Sequence, residues 1–342
     1  QVLDGLPPGF LVDEAELARQ MARRAPGRTP WSTPRRETDQ VEILSGIYRQ
    51  RTNGAPLSAI IRNQDTRSAD YEQIKMLPRP GHADITGALR YRGHNDPRGS
   101  GHFSGRLTAP LVFAGAVCRQ ILATRSIAAY AHIEEIAGIR DQMFDPLAED
   151  MTRLESPQGK EVAVLDDLAG KAMIDAVLQA AAAGDSVGGS VECLISGMPA
   201  GLGNPMFGGL ESRLSSLIYG IPAVKGVSFG RGFAVAQMRG SAFNDQPYMH
   251  HGRICYRSNN SGGIIGGISN GLPLLFQVAI RPPASIAQPQ QTINMATGQP
   301  DLLAVRGRHD PCIVPRVVPV IEAAAALFAL DVLLDEGVLS HD

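Results

Sequence analysis

Apolar and polar positions along this chain alternate with helical periodicity in some stretches and strand periodicity in others, which predicts a mixed fold. Residues 13–24, DEAELARQMARR, carry acids in the first turn and basic residues in the last, as a helix dipole favours. Pro26 and Gly27 end that helix. Residues 41–62, VEILSGIYRQRTNGAPLSAIIR, read as a hairpin of two strands around TNGAP. The Ala-rich, apolar run from Thr108 to Ile139 predicts one long helix, and Asp166 to Ala183 a second, closed by Gly184. SVGGSVECLISGMP alternates like a strand, Met206 to Tyr219 reads as helix, and GVSFGRGFAVAQMRGS is again strand-like. A mostly buried helix is expected from Pro319 to Leu334. The strand–helix–strand order recurs around GMPAGLGNP and after IPAVKG, with no repeat of fixed period and no polar linker. The expected architecture is α+β, one domain over residues 1–342, with helices packed between or on antiparallel sheets.

Composition narrows the function. The 342 residues are 44% hydrophobic with a net charge of -2, enough to bury a substantial core and unlike a binder of polyanions. No nucleic-acid partner is expected. Only four basic residues are lysine (Lys75, Lys160, Lys171, Lys225), so 28 of the 32 are arginine. That bias fits either the composition of the genome or planar guanidinium forks for carboxylate and phosphate ligands. Cys118, Cys193, Cys255 and Cys312 are widely spaced, which disfavours a metal site or disulfide framework and fits a cytoplasmic protein. The most apolar run, Pro319 to Leu334, contains Glu322 and Asp331 and reads as too short and too charged to span a bilayer. The chain starts with Gln and drops straight into a strand-like segment, so an N-terminal piece is expected to be missing.

Residues 79–109, RPGHADITGALRYRGHNDPRGSGHFSGRLTA, concentrate three histidines, five arginines and six glycines just ahead of the apolar PLVFAGAV. Other segments share that Gly, Pro, Arg, His and Asn richness: MARRAPGRTP with TPRRETDQ, GIPAVKG, NNSGGIIGGISNG, and RPPASIAQPQ followed by RGRHDPC. Such loops make turns or let backbone approach a ligand. Taken singly, each has a plain reading. Gly-Gly-x-x-Gly-Gly at 262–267 is a nucleotide cradle or a tight packing contact. Arg23, Arg24, Arg35 and Arg36 read as a solvated helix end, His82 as a structural loop histidine, and Asp310 as a turn former. GxSxG, HExxH and a GxGxxG after a strand are all absent.

Taken together, LDGLPPG, RRAPG, RRETDQVEILSG, NQDTRSADY, RPGHAD, GHFSGRLTAPLVFAGA, GMPAGLGNPMF, IPAVKGVSFGRGF, RGSAFND, NNSGGIIGGISNG and GRHDPC match, in order, the motifs of chorismate synthase. The chain resembles that family over nearly its whole length. The resemblance implies a β-α-β sandwich assembled as a homotetramer. It also implies a lyase that converts 5-enolpyruvylshikimate 3-phosphate to chorismate and phosphate by a 1,4-elimination, with reduced FMN required. NADPH as reductant of that flavin, or an external flavin reductase, is left open. The apolar strand-like segments 187–197 and 227–238 are candidates for pairing or packing across subunits. The alternative is a flavin- or phosphate-binding protein that keeps the scaffold without turnover.

Residue by residue, the resemblance places His82 near the flavin pyrimidine edge as a proton donor and Asp310 as the acid that relays a proton. It places Arg308, Pro222, Ala223, Gly266 and the run Arg281, Pro282, Pro283, Ala284 and Ser285 at the FMN. Arg24, Arg35 and Arg36 are assigned to the anionic groups of the substrate. His102-Phe103-Ser104-Gly105-Arg106-Leu107 stands where many members have RSSARE, so His102, Phe103 and Ser104 are expected at a reshaped flavin contact. Pro30 replaces a second arginine of the basic cluster, which disfavours direct nicotinamide use. The FGESHG segment that precedes VDGVPPG in the family is absent, and with it the histidine assigned to the departing phosphate.

Overall fold

The computed structural model describes residues 2–27, 29, 31–33, 37–63, 75–96, 98–148, 150–305 and 309–339. The helices are α1 (Glu14–Arg24), α2 (Asp84–Arg90), α3 (Thr108–Ala123), α4 (Met151–Glu155), α5 (Asp167–Ala182), α6 (Leu210–Tyr219), α7 (Gly240–Phe243) and α8 (Val314–Asp335). The strands are β1 (Val2–Leu3), β2 (Val41–Ser45), β3 (Ile47–Tyr48), β4 (Arg51–Thr52), β5 (Leu57–Ile61), β6 (Ala128–Ile136), β7 (Ile139–Arg140), β8 (Gly189–Ser196), β9 (Val224–Phe229), β10 (Pro247–His250), β11 (Arg253–Tyr256), β12 (Ile264–Ile265), β13 (Ile268–Ser269), β14 (Leu274–Ile280), β15 (Gln290–Ile293) and β16 (Pro300–Leu303).

An antiparallel sheet in the order β7-β6-β8-β14-β9 forms one layer, and the order β1-β5-β2 forms another. Helices α1, α3 and α8 lie between them, so the layers run sheet, helix, sheet, as the resemblance implies. Alternation along the strands explains it. Ala129, Ala131 and Ile133 of β6, Val191, Cys193 and Ile195 of β8, and Phe276 and Val278 of β14 join one core with Val112, Phe113, Leu17 and Leu57. The other side chains face a smaller core of Tyr130, Leu194, Leu275, Phe144 and Leu154. The two central helices touch backbone to backbone: a Cβ on Gly115 would sit 2.4 Å from the Cα of Ala323. Glu322, buried in α8, accepts from Arg23, from Arg119 at 3.2 Å and from the Ala131 amide at 3.1 Å.

The fold corrects several expectations. The run Thr108–Ile139 is helix only to Ala123; Ser126 takes φ 57° and the rest is strand β6. Both faces of β6 are covered, so its composition is apolar throughout and its period is hidden. Residues 226–241 hold only the end of β9, after which Gly230 and Gly232 turn the chain into a short 3-10 helix. The segment from Met206 becomes α-helical only from Leu210. Strand β8, within 187–197, lies between β6 and β14 and has no free edge for another subunit, whereas β9, among the described residues, pairs on one side only. Helix α8 begins five residues before Pro319 and is 22 residues long, with Pro315 in its first turn. By length and composition, α8 and residues 105–123 are long and apolar enough to cross a membrane, and most of α8 is buried in the sandwich core.

One further group secures the outer face. His132 of β6 and Glu192 of β8 are cross-strand partners. His132 Nδ1 lies 3.0 Å from Asp141 and Nε2 2.8 Å from Glu192, all three side chains being fully buried. Both ring nitrogens face carboxylates, which favours the doubly protonated ring. Asp141 also accepts from the Leu165 and Asp166 amides, and Glu192 from that of Phe144. The triad thereby fastens residues 141–166 to the sheet.

Candidate active site

The RPGHAD segment folds on itself. Gly81 adopts φ 70° in the Pro-Gly turn, which brings Arg79 and His82 back over Asp84 at the start of α2. Arg79 is buried and donates to both Asp84 oxygens at 2.8 Å. His82 Nδ1 lies 2.7 Å from Asp84 Oδ1. Burial would raise the Asp84 carboxyl's pKa, but the hydrogen bonds and charges of Arg79 and His82 outweigh it and hold the group well below the usual carboxylate range. Arg79 reaches further, to Ser285 Oγ and Ser100 Oγ, both at 3.1 Å.

A second cluster forms at the end of α1. Arg24 is only 3% exposed, so the reading of a solvated helix end does not hold for it. It pairs with Asp39 and donates to Thr108 Oγ1 at 3.1 Å. Burial pulls the Arg24 pKa down, Asp39 opposes that, and the neighbouring Arg316 charge adds to it. Arg23 is also spoken for, by Glu322. Asp310 accepts from the Thr33 amide at 2.8 Å and from Arg316 Nη1 at 2.7 Å, and Arg316 Nε donates to the Arg24 carbonyl at 3.2 Å. Beside this cluster lies a cavity of about 440 Å³ walled by Trp31, Ser32, Lys160, Gln158 and Arg316.

Residues 281–286 join the two clusters. Arg281 donates its amide to the Ala223 carbonyl at 3.0 Å, and Ala223 holds φ 75°. Ser285 meets Arg79, while Pro283 accepts from Ser186 at 2.7 Å and the next residue, Val187, donates to the Pro311 carbonyl at 2.9 Å. Ala284 and Ser285 thus lie against Gly81 and Arg79 of the RPGHAD segment, Pro283 is linked through Ser186 and Val187 to Pro311 next to Asp310, and Arg281 is held to Ala223 beside Pro222. Arg281 is partly buried; burial, and then the like charge of Arg79, lowers its pKa. Among the described residues it pairs with no carboxylate. A guanidinium so placed suits a bound phosphate, and in that respect the site fits a phosphate-bearing cofactor such as FMN.

The His102–Ser104 stretch also reaches this region. Phe103 packs against Gly87 of α2, the His102 ring meets the Tyr91 ring edge-on at 6.0 Å, and Ser104 Oγ accepts from the Arg106 amide. Gly266 is not brought there. It sits in the β12–β13 turn at the Leu274 end of β14, whereas Arg281 follows the Ile280 end, roughly 20 Å away at ~3.3 Å per residue. The glycines around it fit the packing reading: Gly267 abuts Gly209, and Gly262 abuts Gly230. Arg35, Arg36, Arg308 and Pro30 lie outside the described residues. Arg79, Asp84 and Arg316 were not among the expected site residues. The first two stand inside the RPGHAD motif itself; Arg316 is signalled by a cation in the first turn of a helix, where the dipole disfavours it.

Comparisons with known proteins agree with the motifs. The family model described as chorismate synthase matches residues 1–334. The chorismate synthase of Aeropyrum pernix is 44% identical over 97% of this chain and 87% of its own length. That of Methanosarcina mazei is 43% identical over 99% of this chain and 92% of its own. A solved crystal structure of chorismate synthase superposes with a TM-score of 0.76 at 25% identity, covering 98% of this chain and 87% of the other.

Proposed function

The chain belongs to the chorismate synthase family and is an enzyme of its lyase chemistry, and from that premise we propose how its residues divide the work. The reaction removes phosphate and a ring proton from 5-enolpyruvylshikimate 3-phosphate, giving chorismate with no net redox change. When bound, reduced FMN supplies electron density as the phosphate leaves. Arg24, Arg35 and Arg36 are assigned by the family motifs to the substrate's phosphate and carboxylates, anions that planar guanidinium forks suit. Arg281 and Arg308, with residues 282–285, Pro222, Ala223 and the His102–Ser104 stretch, hold the cofactor. Gly266 belongs to the same set by family motif alone. His82, fixed at Nδ1 by Asp84, donates to the flavin edge. Asp310 accepts and passes on the ring proton.

The observation that carries this reading is the convergence of RPGHAD, RPPAS and the Asp310 loop on one region of the molecule. We further read the enzyme as a cytoplasmic homotetramer; Met206, Phe207 and Phe233, each more than three-quarters exposed, support a partner surface. Pro30 favours an external source of reduced flavin over NADPH bound by this chain. The scaffold-only alternative is not favoured by relatives that are chorismate synthases over nearly their full length. Anaerobic incubation of the protein with substrate and chemically reduced FMN tests the reading. Release of phosphate and chorismate in equal amounts is expected; flavin binding without phosphate release would restore the alternative.

A further inference from the structure

We propose that Arg316 is a positioning residue for Asp310, resting on the reading of Asp310 as a proton acceptor. Both oxygens of that carboxylate are engaged, one by the Thr33 amide at 2.8 Å and the other by Arg316 at 2.7 Å, so the group is held by two different chain segments. Arg316 is held in turn. Its Nε donates at 3.2 Å to the carbonyl of Arg24, the last residue of α1, where helix carbonyls lack partners within the helix. One guanidinium fork therefore ties the carboxylate expected to take the ring proton to the end of α1, which carries the buried Arg24.

The location is costly without such a role. Arg316 lies in the first turn of α8, whose dipole repels cations, and close enough to Arg24 for the two charges to oppose each other. Asp310 and Asp39 offset both effects, giving an alternating set of two arginines and two aspartates. The two bonds of Arg316 leave from different nitrogens of a planar group, a geometry that lysine's single ammonium does not reproduce.

The test uses Arg316→Gln, Arg316→Lys, Asp310→Asn and the double variant Arg316→Gln/Asp310→Asn, each assayed anaerobically for kcat and KM and each melted thermally. Hydrogen bonds to charged groups imply that Arg316→Gln lowers kcat about 10- to 150-fold, with KM for the substrate close to that of the unmodified enzyme. Arg316→Lys should recover only part of that loss. The double variant should be no slower than Asp310→Asn alone, and its fall in melting temperature smaller than the two single falls added. Losses in kcat that multiply, or a loss confined to KM, would mean that Arg316 meets the substrate itself and would overturn the inference. So would a lowered melting temperature with unchanged turnover. If Arg316→Gln fails to fold, Arg316→Lys carries the same comparison. A slow Asp310→Asn beside a fast Arg316→Gln removes this inference alone, whereas wild-type turnover by Asp310→Asn removes the role of Asp310 and this inference with it.

Discussion

Arg24, Arg79 and Glu322 are charged side chains with almost no exposure, and each survives burial because its partners are charged or backbone groups in direct contact. The groups given chemistry here, His82 and Asp310, are held in the same manner, His82 by Asp84 and Asp310 by Thr33 and Arg316. General acid–base groups typically contribute about 10²- to 10⁴-fold, so His82→Ala and Asp310→Ala should each lower turnover per bound flavin by something in that range. FMN affinity should stay close to that of the unmodified protein, because the arginines and backbone bind the anions. Turnover normalised to bound FMN, beside a thermal melt, checks this; unchanged turnover per flavin with a lowered melting temperature would reduce both residues to packing and turn formation. His82, Asp310 and Arg24 could be proposed from the sequence because each sits in a motif with a fixed neighbourhood. Arg316 could not, because only the fold brings the first turn of α8 against the end of α1.

At the scale of elements, capping and charge made α1 readable almost to the residue. Asp13 accepts from the amides of Ala15 and Glu16, and Arg23 and Arg24 close the last turn. Strand β6 was unreadable for the opposite reason: helices cover one face and residues 141–166 the other, so no polar period was left in its sequence. The clasp on that second face has a pH signature. Burial alone would lower the His132 pKa, but hydrogen bonds and charge from Asp141 and Glu192 outweigh it and raise it from 6.5 to about 8. Glu134, its own carboxyl raised by burial and by Glu192, adds a further acid beside the pair. A raised histidine stabilises the fold fully below about pH 6.5, and that stabilisation is lost as pH rises through about 8. A shift of that size corresponds to about 2 kcal/mol. Denaturant melts across this window should show the loss in the wild type and a flatter profile in His132→Gln; parallel profiles would remove the clasp's charge from the account.

At the scale of the whole molecule, the order of layers was legible from motifs rather than from periodicity, and the assembly was not legible from strand character. Segment 187–197 looked apolar because it is the middle of a sheet, while the exposed apolar side chains are elsewhere, at Phe207 and Phe233. Light scattering at micromolar concentration should give four times the chain mass of 36.4 kDa; a clean monomer would contradict the tetramer. The central claim is that this one chain assembles a site that expels phosphate from its substrate. Its most direct test is anaerobic turnover of 5-enolpyruvylshikimate 3-phosphate with chemically reduced FMN, following phosphate and chorismate together. Equal, catalytic amounts of both are expected over many turnovers, with none when oxidised FMN is substituted; tight flavin binding with no phosphate released would contradict that claim.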